Sequence, residues 1–101
     1  MAELIWTEHA LSELYDLAEY IELMNPIAAK KFVNNTFQSI ERLQESPFSG
    51  RMIPELGRIH YREVITKTCR IFYRVDEERI YIINVMRQER EIRRFIGSSS
   101  L

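Results

Sequence analysis

The stretch CRIFYRVDEERIYIINVMRQER, Cys69 to Arg90, carries two runs rich in β-branched and aromatic residues on either side of the polar connector DEE. Such runs suit pleated, half-buried strands, and so short a connector makes them antiparallel neighbours. The spacing predicts strands over 69–75 and 79–86. In the first, alternation sends Cys69, Ile71, Tyr73 and Val75 to one face and Arg70, Phe72 and Arg74 to the other. The first set reads as core and the second as the lining of an uncovered face. In the second strand both parities are apolar, so pattern alone does not assign its faces; burial on both sides is one explanation.

Working upstream, IHYREVI (59–65) is a further strand, joined to the hairpin by TKT. Before it, SPFSGRMIPELGR (46–58) holds two of the three prolines and two of the three glycines and reads as a long loop. The N-terminal ELIWT suits a short first strand, after which Thr7 offers a helix N-cap with Glu8 in the first turn. Leu11, Leu14, Ala18 and Ile21 then recur at helical spacing, opposite Glu13, Asp16, Glu19 and Glu22, and predict a helix over 8–23. Asn25 followed by Pro26 is a second helix start, and Ala29, Phe32, Val33, Thr36, Ile40 and Leu43 carry the stripe to about residue 45. The expected fold is α+β, β-α-α-β-β-β, with two N-terminal helices packed on one face of a mainly antiparallel four-stranded sheet. The 101 residues read as a single domain, 1–101, with 97–101 a flexible tail.

Hydrophobic residues make up 46% and charged residues 29%, a globular balance. No segment approaches the roughly 20 apolar residues of a membrane span, and MAELIWTEHA lacks a basic region before an apolar run, so a cytoplasmic protein without membrane contact is expected. One cysteine, Cys69, and two histidines, His9 and His60, make neither a disulfide framework nor a promising metal site. No cofactor is expected, and Cys69 reads as a buried small apolar residue. The net charge of −1 conceals an asymmetry: residues 1–50 carry eight acids against three bases, residues 51–101 seven acids against eleven bases, ten of them arginine. Such polarity points the second half toward an anionic or carboxylate-rich partner, or toward neutralisation by the first half within the fold.

Taken in order, LIWTEHALSELYDLAEYI, a long second helix ending before SPFSGR, then IPELGRIHYREV and CRIFYRVDEERIYIINVMRQER resemble the RelE/ParE superfamily of toxins from bacterial type II toxin–antitoxin modules. The resemblance spans nearly the whole chain. It implies a cognate antitoxin whose C-terminal segment wraps the toxin and folds on binding, with DNA binding left to the antitoxin. Two activities divide the superfamily. ParE-like members poison DNA gyrase and are linked to plasmid stabilisation, with no catalytic residues expected; RelE-like members are ribosome-dependent mRNA endoribonucleases. Nuclease chemistry needs a base, a cation for the phosphorane charge and an acid for the leaving oxygen. Carried over, the resemblance offers Glu55 as base and Arg70 and Arg87 as cationic contacts. It departs after Arg87, where Gln88 and Glu89 stand in place of an expected His or Tyr, and His60 and Tyr61 do not match that position. The loop lysines of the nuclease branch are also missing, since 46–58 contains none. A strongly basic domain is expected of a protein working against ribosomal phosphate, and this chain is not one. The reading is therefore ParE-like, with gyrase as target. Arg51, Arg62, Arg70, Phe72, Arg74, Arg87 and Arg90 are the residues expected to grip target or antitoxin. An inactive toxin-fold binding protein is the third possibility. Arg62 is also a candidate for fixing the loop to the sheet through Glu55 or a neighbouring acid, and Arg74 and Arg79 flank a turn where charges are commonly solvated.

Overall fold

A computed structural model describes residues 1–53, 56–58 and 60–88. The elements run β1 (Glu3–Trp6), α1 (Glu8–Met24), α2 (Pro26–Glu41) with a 3-10 turn at Arg42–Gln44, β2 (Arg51–Met52), β3 (Tyr61–Ile65), β4 (Cys69–Asp76) and β5 (Arg79–Arg87). The expected class and helix-to-sheet arrangement hold. The sheet has five strands rather than four, in the order β1-β5-β4-β3-β2. The addition is β2, whose two residues pair with β3 in the register Arg51↔Glu63 and Met52↔Arg62. Two residues show no alternation, and Pro and Gly around them read as loop, which is why periodicity passes over this strand.

Helix starts follow the caps. Thr7 Oγ1 accepts from the Ala10 N–H at 3.1 Å, and the same hydroxyl donates to the Ile82 carbonyl at 2.8 Å, tying the start of α1 to β5. Asn25 Oδ1 accepts from the Ala28 N–H at 3.1 Å, with Pro26 in the first turn where its missing donor costs nothing. Such a cap contributes about 1 kcal/mol.

β1 joins the sheet at one edge, parallel to β5, while β3, β4 and β5 form the antiparallel meander. The core lies between helices and sheet: Leu14, Ile21, Phe32 and Ile40 meet Ile71, Tyr73, Ile80 and Ile82, all at most 2% exposed. Burying side chains of this size contributes about 1.5–3 kcal/mol each. Cys69 lies in the same core at 0% exposure, its thiol beside Thr66 Oγ1, and burial pushes that thiol up. Trp6 packs edge-on to Phe37 with ring centroids 5.1 Å apart.

Two devices adapt the sheet to its cover. The β4–β5 ladder shifts register between Phe72 and Tyr73, and Glu13 of α1 accepts from the Val85 N–H at 2.9 Å and the Asn84 side-chain amide at 3.4 Å. Beyond the helices, loop 46–50 is stitched down by Tyr73, whose hydroxyl donates to the Pro47 carbonyl at 2.7 Å and accepts from the Gly50 N–H at 2.9 Å. Gly50 is there because nothing larger fits: a Cβ would stand 2.5 Å from the Tyr73 hydroxyl and 2.7 Å from the Glu63 carbonyl oxygen.

Candidate functional site

The face of the sheet turned away from the helices is built by register. In antiparallel pairs, opposed residues share a face. Glu63 lies opposite Phe72 and Phe72 opposite Asn84; Ile65, Arg70 and Met86 form a second row, and Tyr61, Arg74 and Tyr81 a third. The alternation expected in 69–75 is realised. Cys69, Ile71, Tyr73 and Val75 are buried under the helices, and Arg70, Phe72 and Arg74 are only half-buried on the other side.

At the centre of this face sits a carboxylate that the motif pattern did not single out. The Glu63 side chain is 0% exposed and accepts from Arg51 Nε at 2.7 Å through Oε1 and from Arg70 Nη2 at 2.6 Å through Oε2. Burial pushes its carboxyl up, but the hydrogen bonds and charges of Arg70 and Arg51 outweigh that and hold it below the ordinary carboxylate range. Three strands are thereby joined, Arg51 from β2, Glu63 from β3 and Arg70 from β4, and the cluster keeps one net positive charge.

The arginines are also laid over aromatic rings. Arg70 Cζ is 5.2 Å from the Phe72 ring centroid, and Arg74 Cζ is 5.2 Å from that of Tyr81. Stacking a guanidinium on a ring contributes about 0.5–2 kcal/mol and fixes the plane of the cation. Arg74 also lies 3.8 Å from Asp76, and Arg79 pairs at 3.3 Å with Glu3 at the outer corner.

The other expected residues are elsewhere. Arg62 has the opposite parity: its Nη1 donates to the carbonyls of Gly50 at 3.0 Å and Phe48 at 3.3 Å, and its Cζ lies 5.4 Å from the Phe48 ring centroid. It does fix the loop to the sheet, through main-chain carbonyls. Arg87 lies opposite Cys69, on the helix-bearing face, with Cζ 5.6 Å from the ring centroid of Tyr20 on α1. Arg70 and Arg87 therefore diverge to opposite faces and do not converge on one phosphate. Glu55, Arg90 and the tail 97–101 lie outside the described residues. Neither histidine reaches the arginine face: His9 is on α1, 3.4 Å from Glu13, and His60 packs beside Phe48 with ring centroids 6.3 Å apart. Among the described residues, no group of three or more His, Cys, Asp or Glu could hold a metal ion, and no helix is long and apolar enough to cross a membrane.

What the arrangement can do chemically is bind. It offers two oriented guanidiniums, Arg70 and Arg74, the more exposed Arg51 beside them, and the apolar Phe72, Ile65 and Met86 between and around. Glu63 is ill suited as a general base, because both of its oxygens already accept from arginines and its carboxyl is held below the ordinary carboxylate range, whereas a general base is best poised near the working pH. Sequence reasoning missed it, though the parity of 61–65, with an acid between Tyr61 and Ile65, was a signal.

The profile of a family described as ParE toxin of type II toxin-antitoxin system, parDE, matches residues 4–92. No curated protein matches the chain. Among solved structures, the chain is similar to one described as the chromosomal ParDE TA system from P. aeruginosa, at 21% identity over 86% of this chain and 96% of that chain, with a TM-score of 0.71. It also matches one described as YoeB/ParE toxin from Agrobacterium tumefaciens, at 19% identity over 85% of this chain and 98% of that one, with a TM-score of 0.47. The first likeness is one of fold.

Proposed function

The chain belongs to the ParE toxin family of type II toxin–antitoxin systems, and from that premise we propose that it acts in the cytoplasm as a poison of DNA gyrase, held in check by a cognate antitoxin. The arginine face of the sheet is the surface assigned to these partners. The observation that carries this over RNA cleavage is the state of Glu63. The carboxylate at the centre of the face is buried, doubly ion-paired and held below the usual range, so it orients cations instead of accepting a proton. A surface of oriented guanidiniums between apolar side chains suits a protein partner that brings carboxylates, with Arg and aromatic residues as anchors.

One observation favours a second reading. Tyr61, Phe72 and Tyr81 stand on three adjacent strands of this face beside stacked arginines, a layout on which bases of single-stranded RNA can stack. On that reading the chain is a ribosome-dependent mRNA endonuclease, and adding purified protein to a translation extract separates the two. The gyrase reading expects intact mRNA; cuts at the ribosomal A site would overturn it.

Growth after induction tests the surface itself. Arg70→Ala is expected to weaken toxicity more than Arg79→Ala, but it also removes one of the two arginine partners of buried Glu63. Arg74→Ala is the cleaner variant, since Arg74 is 41% exposed and leaves that pair intact. At matched expression Arg74→Ala should relieve growth arrest more than Arg79→Ala, and equal toxicity of both with the parent would count against the assignment.

A further inference from the structure

Beside β2 the edge of the sheet is left bare. Strand β2 begins at Arg51, opposite Glu63, so among the described residues Val64 and Ile65 of β3 have no strand beside them on that side. A cleft of ≈ 400 Å³ opens there, between the end of α2, the loop that leads into β2 and the β3 edge. Ser39 and Arg42, three residues apart on helical backbone, line it from one side, and Ser49 and Arg51, on either side of Gly50, line it from the other.

The polar groups of this cleft have donors to spare. Among the described residues, the Arg42 guanidinium and the Ser39 and Ser49 hydroxyls make no hydrogen bond or ion pair. Arg51 commits only its Nε, to Glu63 Oε1 at 2.7 Å, and both of its Nη groups are left over. The one acid at the cleft, Glu63, is 0% exposed, and its two oxygens are taken by Arg51 and Arg70. Two guanidiniums beside one satisfied carboxylate give the cleft a positive potential. Their donors, with two hydroxyls, exceed what the two oxygens of a carboxylate accept, whereas a tetrahedral phosphate dianion can take them together. Val64, half-buried, and Ile65, 48% exposed, add an apolar wall, and the volume is more than a bare phosphate fills.

We propose that this cleft binds a small phosphate monoester, its dianionic phosphoryl group held by Arg42, Arg51, Ser39 and Ser49 and its organic part lying on Val64 and Ile65. The contacts expected of the phosphoryl group are charge-assisted and bidentate, the kind for which the planar guanidinium fork is suited. Ser39 and Arg42 stand at the end of α2, on the helix-bearing side of the sheet, apart from the rows that carry Arg70 and Arg74. The inference stands on the cleft and is independent of the gyrase reading.

The test is isothermal titration calorimetry of the full chain at constant ionic strength in a phosphate-free buffer, with AMP, inorganic phosphate and adenosine as probes. AMP should bind with a Kd of about 1 mM or tighter, inorganic phosphate at least about threefold more weakly, and adenosine not at all up to about 10 mM. Arg42→Ala, at a temperature where circular dichroism shows it fully folded, should weaken AMP binding by about tenfold or more, and Arg42→Lys should recover only part of the loss. Arg79→Ala, beside Glu3 at the opposite edge of the sheet, should leave binding unchanged. Absence of saturable AMP binding, equal binding of AMP and inorganic phosphate, adenosine binding as tightly as AMP, or indifference to Arg42→Ala would overturn the proposal. So would binding abolished by Arg74→Ala and untouched by Arg42→Ala, which would place the phosphate on the arginine face.

Discussion

Replacing Glu63 with glutamine keeps the shape of the side chain and one acceptor oxygen but removes the charge that two arginines enclose. Breaking a fully buried ion pair by deleting one partner costs about 3–5 kcal/mol. Here the carboxylate is 0% exposed, while Arg70 is 26% and Arg51 56% exposed, so the arginines recover part of their solvation. Retention of one acceptor lowers the cost further, whereas the new amide donor faces a guanidinium with nothing to accept it. The expected loss is about 2–3 kcal/mol at neutral pH. In a domain of this size that corresponds to a fall in Tm of roughly 10–20 °C. Urea unfolding with wild type and Glu63→Gln side by side measures it directly, provided the slope is unchanged. The pH dependence supplies a second check. The Glu63 carboxyl is depressed in the folded protein, so its contribution is complete above the unfolded carboxyl value, near pH 4, and is lost as pH falls through the lower folded value. The gap between the two proteins should therefore be constant from about pH 7 to 5 and close below about pH 4. A gap under about 0.5 kcal/mol at neutral pH, or one that persists unchanged into strong acid, would refute the role assigned to the pair.

Other expectations follow from single contacts. Tyr73→Phe strands the Gly50 N–H and the Pro47 carbonyl under the sheet and should cost about 1–3 kcal/mol in denaturant, with faster amide exchange at Gly50 as the local readout. Glu77 holds φ at +56° in the β4–β5 turn, a conformation that glycine adopts freely, so Glu77→Gly should raise stability by up to about 1 kcal/mol, measurable as a small rise in Tm. Gly50→Ala forces a Cβ against the Tyr73 hydroxyl and the Glu63 main chain and should destabilise by about 1–3 kcal/mol, seen as a lower urea midpoint.

The fold was legible wherever burial imposes a period. The helix starts came from Thr7 and from Asn25–Pro26, and the buried set of β4 from strict alternation; the observed helices and strands lie within a few residues of those expected. What escaped was set by contacts distant in sequence. Strand β2 exists because Arg51 finds Glu63 twelve residues on and because Tyr73 pulls Gly50 down beside it. The part played by Glu63 depends on arginines from two other strands, which no local pattern reveals. Arg70 and Arg87 looked alike as cations in one hairpin, yet their positions in the ladder, opposite Met86 and Cys69 respectively, send them to opposite faces. That parity could have been read had the register been known, but both parities of 79–86 are apolar and leave it open.

The proposed grip of the arginine face of this ParE family member on gyrase is open to direct measurement. Purified protein incubated with gyrase, ATP and supercoiled plasmid, then quenched with detergent and protease, reports cleavage complexes as linear or nicked DNA. Such DNA should accumulate with the parent protein and with Arg79→Ala, and fall markedly with Arg74→Ala at a temperature where circular dichroism shows all three fully folded, since loss of the Arg74–Tyr81 stack lowers Tm by only a few degrees. Undamaged, fully supercoiled plasmid with the parent protein, or cleavage indifferent to Arg74→Ala, would contradict it.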